Sequence, residues 1–180
     1  MNTAEEMKLV PPSGGRVEIV RVSVQTDRDW QKAINAAGLL NIPDDHNVRV
    51  GGKYLAGQGT LETEIILMNF GQKGCCWDRG MDWAKENGLK RTSPRHVFAV
   101  TEHRPQLHRE LGMNPMYVVA TVATASQCVS HSMYGDYGND YVACGIWRSG
   151  WFGTRCDFFL YWWFLEKYGD SKNWLAFLRE

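Results

Sequence analysis

From residue 16 to 25 polar and apolar residues alternate. Val17 and Ile19 share one parity, Val22 and Val24 take the other, and Val20 marks the switch. A period of two predicts a strand, and a change of parity within it is the pattern a bulge produces. Thr26 and Asp27 offer N-caps for a helix that holds Trp30, Ala33, Ile34 and Ala37 on one face and stops at Gly38. Residues 41–59, rich in Gly, Asp and Asn, read as loop and hairpin. A second strand is expected over 60–70, a glycine turn over 71–74, and a helix over 77–87 closed by Gly88. Ser93 and Pro94 predict an N-cap followed by proline in the first helical turn. Val97, Val100, Leu107 and Leu111 can then share a face, with Pro105 kinking or restarting the helix; a strand over 97–100 is the rival reading. Residues 116–125 are β-rich and read as a buried strand.

Beyond residue 130 the texture changes. Fifteen of the 22 aromatic residues fall between 134 and 177, and charge is thin there. Strands are expected near 141–147 and 158–164, separated by a turn over 151–154. A closing strand is expected over 174–179, for which a short terminal helix is the alternative. Residues 1–15, ending Pro-Pro-Ser-Gly-Gly, read as a flexible lead-in. Residues 16–180 show neither an internal repeat nor a linker, so they read as one α+β domain.

Composition narrows the function. The chain has 180 residues, 44% apolar and 22% charged, which excludes a disordered tail, a collagen and a coiled coil. Twenty Lys and Arg balance twenty Asp and Glu, so no electrostatic footprint for nucleic acid is present. No apolar run reaches the roughly 20 residues of a membrane span. The first residues lack the basic-then-apolar order of a secretory signal, which makes the cytoplasm the default compartment. Five cysteines, at 75, 76, 128, 144 and 156, match no zinc or redox spacing. They read as free thiols in a reducing compartment; a disulfide among Cys128, Cys144 and Cys156 is the alternative for an exported form.

Three short segments carry a resemblance. The run from Gly88 through Lys90 and Arg91 to Pro94 resembles the helix start of C-type-lectin-like domains of the formylglycine-generating-enzyme type. Ala143-Cys144-Gly145-Ile146-Trp147 looks like that group's Gly-Gly-Ser-Trp strand, with Ile146 in the serine's place. Trp174 to Arg179 looks like its terminal strand, without the Gly-Phe pair. The resemblance implies paired N- and C-terminal strands, two or three helices and a loop-rich C-terminal half. The group includes the variable proteins of diversity-generating retroelements, in which a reverse transcriptase rewrites codons of exposed C-terminal residues. The implied function is recognition rather than reaction, without a cofactor. The chain as a whole also resembles a set of short proteins from candidate-phylum bacteria, through segments such as Asp29-Trp30-Gln31 and Pro115-Met116-Tyr117-Val118-Val119, a likeness that brings no activity with it.

Candidate binding residues follow from chemistry. The stretch from Ser132 to Tyr141 is rich in Tyr, Gly, Ser, Asn and Asp, a composition that pairs aromatic contact area with adaptable hydrogen bonding. It is also the residue set that adenine-targeted mutation of asparagine codons generates. Tyr134, Asp136, Tyr137, Asn139 and Tyr141 are its candidates; an ordinary surface loop is the plainer reading. Around 158–165 both parities are large and apolar, so one face reads as core and the other as a ligand, lid or oligomer surface. Trp147, Trp151, Phe152, Phe159, Tyr161 and Trp163 would supply area, and Arg148, Arg155 and Asp157 orientation. The expected partner is a protein or another extracellular-type ligand.

Other chemistry is thinner. Asp136, Asn139 and Asp140 could ligate calcium, but no sugar-lectin triplet or EF-hand spacing accompanies them. The competing class is a thiol or metal enzyme. It would use Cys75 and Cys76 at a helix start with His96, His103, His108 or His131 as base, or His96, His103 and His131 around a metal. Self-association that buries the aromatic face is the third reading.

Overall fold

The computed structural model describes residues 9–12, 14–38, 57–71, 77–121, 124–125, 140–150, 153–162 and 172–179; over 77, 124–125, 140–150 and 153–162 it describes the course of the backbone. In chain order the elements are β1 (Arg16–Gln25), α1 (Trp30–Ala36), β2 (Thr60–Asn69), α2 (Trp77–Glu86), β3 (Lys90–Arg91), α3 (Pro94–His103), α4 (Leu107–Glu110), β4 (Met116–Ala120), β5 (Thr124–Ala125), β6 (Asp140–Gly150), β7 (Gly153–Trp162) and β8 (Asn173–Arg179). The α+β class is what the structure shows.

All eight strands belong to one mixed sheet. β1 runs antiparallel to β2, β2 antiparallel to β8, β8 parallel to β4, β4 antiparallel to β6, and β6 antiparallel to β7. The short β3 lies along β8 just beyond the end of β4: Lys90 and Arg91 pair with Leu178 and Phe177, whereas Ala120 pairs with Ala176.

Burial explains this order. Ile65 to Met68 on β2 and Trp174 to Phe177 on β8 are apolar on both parities and almost wholly buried. A strand with two apolar faces is stable only inside a sheet that is covered on both sides. Ile65, Leu67, Trp174 and Ala176 pack with α1 and α3 in one core; Ile66, Met68, Leu175 and Phe177 pack with α2 in a second. β1 buries Val20, Val22 and Val24 but leaves Ile19 40% exposed and carries Arg16, Glu18 and Arg21, so it takes an edge.

This corrects the expectation of paired N- and C-terminal strands: β2 stands between β1 and β8. The parity switch in β1 has a related origin. Its register with β2 runs without interruption from Arg16↔Asn69 to Gln25↔Thr60, so there is no bulge. Val17 packs into the second core and Val20, Val22 and Val24 into the first. In the C-terminal half the described residues include a ten-pair hairpin of β6 and β7, and the segments expected to be loops, 126–139 and 163–171, lie outside the described residues.

Helix boundaries follow local chemistry. The N-cap of α1 is Asp29, not Thr26 or Asp27: its Oδ1 accepts from the Lys32 N–H at 3.1 Å. Pro94 opens α3, and His96 Nδ1 accepts from the Ser93 N–H at 3.0 Å, the role Glu or Gln takes in a capping box. The segment around Val97 is therefore helix, not strand. The chain restarts after Pro105, so α3 and α4 are separate, and the described residues hold four helices rather than two or three. Residues 174–179 are strand, not helix.

The helices are tied as well as packed. Arg28 makes a two-pronged ion pair with Glu102 at 2.7 and 3.2 Å, Arg95 donates to the Arg28 carbonyl at 2.6 Å, and Trp30 meets Phe98 edge-on at 5.2 Å. On the other face Trp83 of α2 donates its indole N–H to the Val10 carbonyl at 2.9 Å. Leu9 is buried in the second core, so this part of the N-terminal lead-in is packed against the sheet.

Candidate ligand-binding site

Five of the fourteen sequence candidates come together on the β6–β7 hairpin through register alone. Tyr141 pairs with Trp162, Cys144 with Phe159, Trp147 with Cys156, Arg148 with Arg155 and Gly150 with Gly153. Opposed residues of an antiparallel pair share a face, and successive residues alternate. Arg148, Arg155, Asp157, Phe159 and Tyr161 therefore fall on one face, with Val142, Cys144 and Ile146. Tyr141 and Trp147 fall on the other, with Cys156, Phe158, Leu160 and Trp162.

β4 identifies these faces. Trp147 is opposite Met116, which packs in the core beneath α1 and α3; Ile146 is opposite Tyr117 and Cys144 opposite Val119, both of the second core. The five grouped candidates thus share the sheet face that carries α2, and Tyr141 and Trp147 the face that carries α3. Alternation within each strand separates the two sets in the sequence, but which β6 residues share a face with which β7 residues, and which helix covers that face, depends on the register of β4, β6 and β7. Tyr134, Asp136, Tyr137, Asn139, Trp151, Phe152 and Trp163 lie outside the described residues.

Two features of the hairpin were not legible beforehand. Arg148 and Arg155 are directly opposed, a like-charge pair that costs stability on its own. Asp157 follows Arg155 by two residues on the same face and lies diagonal to Arg148. Cys144 and Cys156 fall on opposite faces, which rules out a disulfide between them, because a bridge needs Cβ atoms that approach each other.

The residues of the enzyme alternative are placed differently. His103 Nδ1 lies 2.9 Å from the Ala99 carbonyl, and its Nε2 accepts from the Ser23 N–H at 3.4 Å. His96 caps its own helix, and burial holds its imidazole below the usual pKa. His108 is fully buried, and burial lowers its pKa too. Cys75, Cys76 and His131 lie outside the described residues. Among the described residues no group of three His, Cys, Asp or Glu is placed to hold a metal ion. No helix there is long and apolar enough to cross a membrane.

A hollow of about 560 Å³ opens at the far end of the sheet, lined by residues that include Arg21, Leu61, Glu64 and Arg179. Glu64 is bound from both sides, by Arg21 at 2.9 Å and Arg179 at 3.3 Å. These charges serve each other, so the hairpin is the better candidate. Compared with protein-family models, curated proteins and solved structures, the chain matches none.

Proposed function

We propose that this chain is a ligand-recognition protein of the C-type-lectin-like kind, whose binding surface is the α2-side face of the β6–β7 hairpin with the segments that flank it. The observation that carries the reading is the segregation of Arg148, Arg155, Asp157, Phe159 and Tyr161 onto one face by a ten-pair register. Rigid rings supply contact area at low entropic cost, and a buried aromatic anchor contributes on the order of 2 kcal/mol. The charged trio fixes orientation and rejects ligands without a matching group. The hairpin joins the sheet through β4, next to the doubly buried β8, so a rigid scaffold presents the surface. Kinship with the diversified variable proteins is part of the proposal, and β2 between β1 and β8 is a departure from that pattern.

Sequencing the gene across its natural population tests the reading. Substitutions should crowd between residues 130 and 165, at adenine-containing codons and first at Tyr134, Asp136, Tyr137, Asn139 and Tyr141. Variation spread evenly along the chain would remove the diversified-surface reading.

A further inference from the structure

The sheet has two edges, and they are treated differently. Tyr141 of β6 pairs with Thr124 of β5 on one side and with Trp162 of β7 on the other. Among the described residues β7 pairs with β6 alone, which makes it the edge opposite β1. An exposed strand edge invites pairing with another chain, and proteins blunt such edges with charge or cover them. β1 is blunted: Arg16, Glu18 and Arg21 lie along it, Arg104 approaches Glu18 at 3.9 Å, and His103 takes the Ser23 N–H. β7 is ten residues long, contains no proline, and has only Arg155 and Asp157 as charged residues.

We infer that two copies of this chain join their sheets by pairing β7 with β7 antiparallel about a two-fold axis at Cys156. An axis perpendicular to the sheet keeps faces aligned, so each residue opposes one of the same parity in the partner. Three neighbouring registers compete. Centring on Arg155 opposes two arginines, and centring on Asp157 opposes two aspartates. Centring on Cys156 opposes Arg155 to Asp157 twice, because the two charges stand symmetrically about residue 156. Opposed like charges are unfavourable and opposite charges favourable, so the pattern selects the third register. That register also offsets the Arg148–Arg155 opposition within each hairpin, since it sets Asp157 of the second copy opposite Arg155. The inference shares Arg155 and Asp157 with the ligand reading but concerns the edge of the hairpin rather than its face, and its experiment is made without ligand, so the two can fail separately.

Sedimentation equilibrium without ligand tests it. The unchanged chain should be a dimer at about 100 µM, a concentration well above the Kd of a specific interface. Arg155→Asp and Asp157→Arg should each raise the dimer Kd about tenfold or more, since each opposes like charges twice. The double exchange Arg155→Asp/Asp157→Arg should return it to within about threefold, which a purely structural role for either residue would not do. Arg155→Asp should at the same time leave the monomer as stable as before or more so, because it relieves the pair with Arg148. A short bismaleimide added to the unchanged chain should give a product linked Cys156 to Cys156, which decides the matter even if a variant fails to fold. A monomer at that concentration, a double exchange without rescue, or a link through other cysteines would overturn the inference.

Discussion

Thr92 and Thr121 are fully buried, and their hydroxyls close a small network where β3 and β4 part along β8. Each hydroxyl donates to the Ala176 carbonyl, at 2.7 and 2.6 Å, and each accepts the other's backbone N–H, at 3.3 and 2.9 Å. Two N–H groups that leave the ladder are satisfied in this way without water. Replacing Thr121 by Val keeps the shape but strands the Thr92 N–H, so Thr121→Val should cost about 1–3 kcal/mol by denaturant unfolding. A loss within error would show the network to be dispensable. Titration adds a second expectation at this scale. Burial lowers the pKa of His96 in the fold, and buried His108 acts in the same sense. The unfolded chain therefore binds more protons below about pH 6.5, so stability is full above that value and falls as pH drops toward the folded-state pKa. His96→Gln retains an acceptor for the Ser93 N–H and should move the acid-unfolding midpoint to lower pH; an unchanged midpoint would assign the sensitivity elsewhere. The threonine network could not be read from the sequence. Thr92 and Thr121 are 29 residues apart and meet only because both flank Ala176.

Among the elements, periodicity served best where an element has one simple face. α1 lies close to where its apolar spacing places it and the helix breaks at Pro105, because side-chain spacing and the missing proline N–H act within a few residues. It misled in β1, where two parities looked like a bulge. The cause is two cores, one on each side of a straight strand, and no local pattern distinguishes that from a bend. The turn after β2 shows a tertiary demand on a single position. Gly71 has φ +69°, and a Cβ there would run into the Gly14 carbonyl oxygen where the lead-in crosses the end of β2. Gly71→Ala should destabilise by about 1–3 kcal/mol, since a left-handed residue and a backbone clash coincide. Thermal unfolding that matches the parent would mean the crossing can shift.

At the scale of the whole molecule the sheet order predicts a gradient of protection. β8 has neighbours on both edges and cover on both faces, whereas among the described residues β1 pairs with β2 alone. Amide exchange should be slowest at Ile65–Met68 and Trp174–Phe177 and faster along β1, because local opening of an edge exposes less buried surface. Equal rates in β1 and β8 would contradict the strand order. The recognition reading belongs to this scale too: the rings and charges from 141 to 161 are plain in the sequence, yet which of them share a face across β6 and β7 waits on ten register pairs.

By itself the sequence determined the α+β class, most element positions, the aromatic concentration near the C-terminus and the balance of charge. These depend on residue type and on spacings of two to four residues, over which backbone geometry is fixed. The tertiary structure alone decided that β2 separates β1 from β8, that Arg148 opposes Arg155, and that Cys144 and Cys156 face apart. Strand order and register come from burying two doubly apolar strands between two helical layers. That is a property of the whole chain's surface, and no window of sequence contains it.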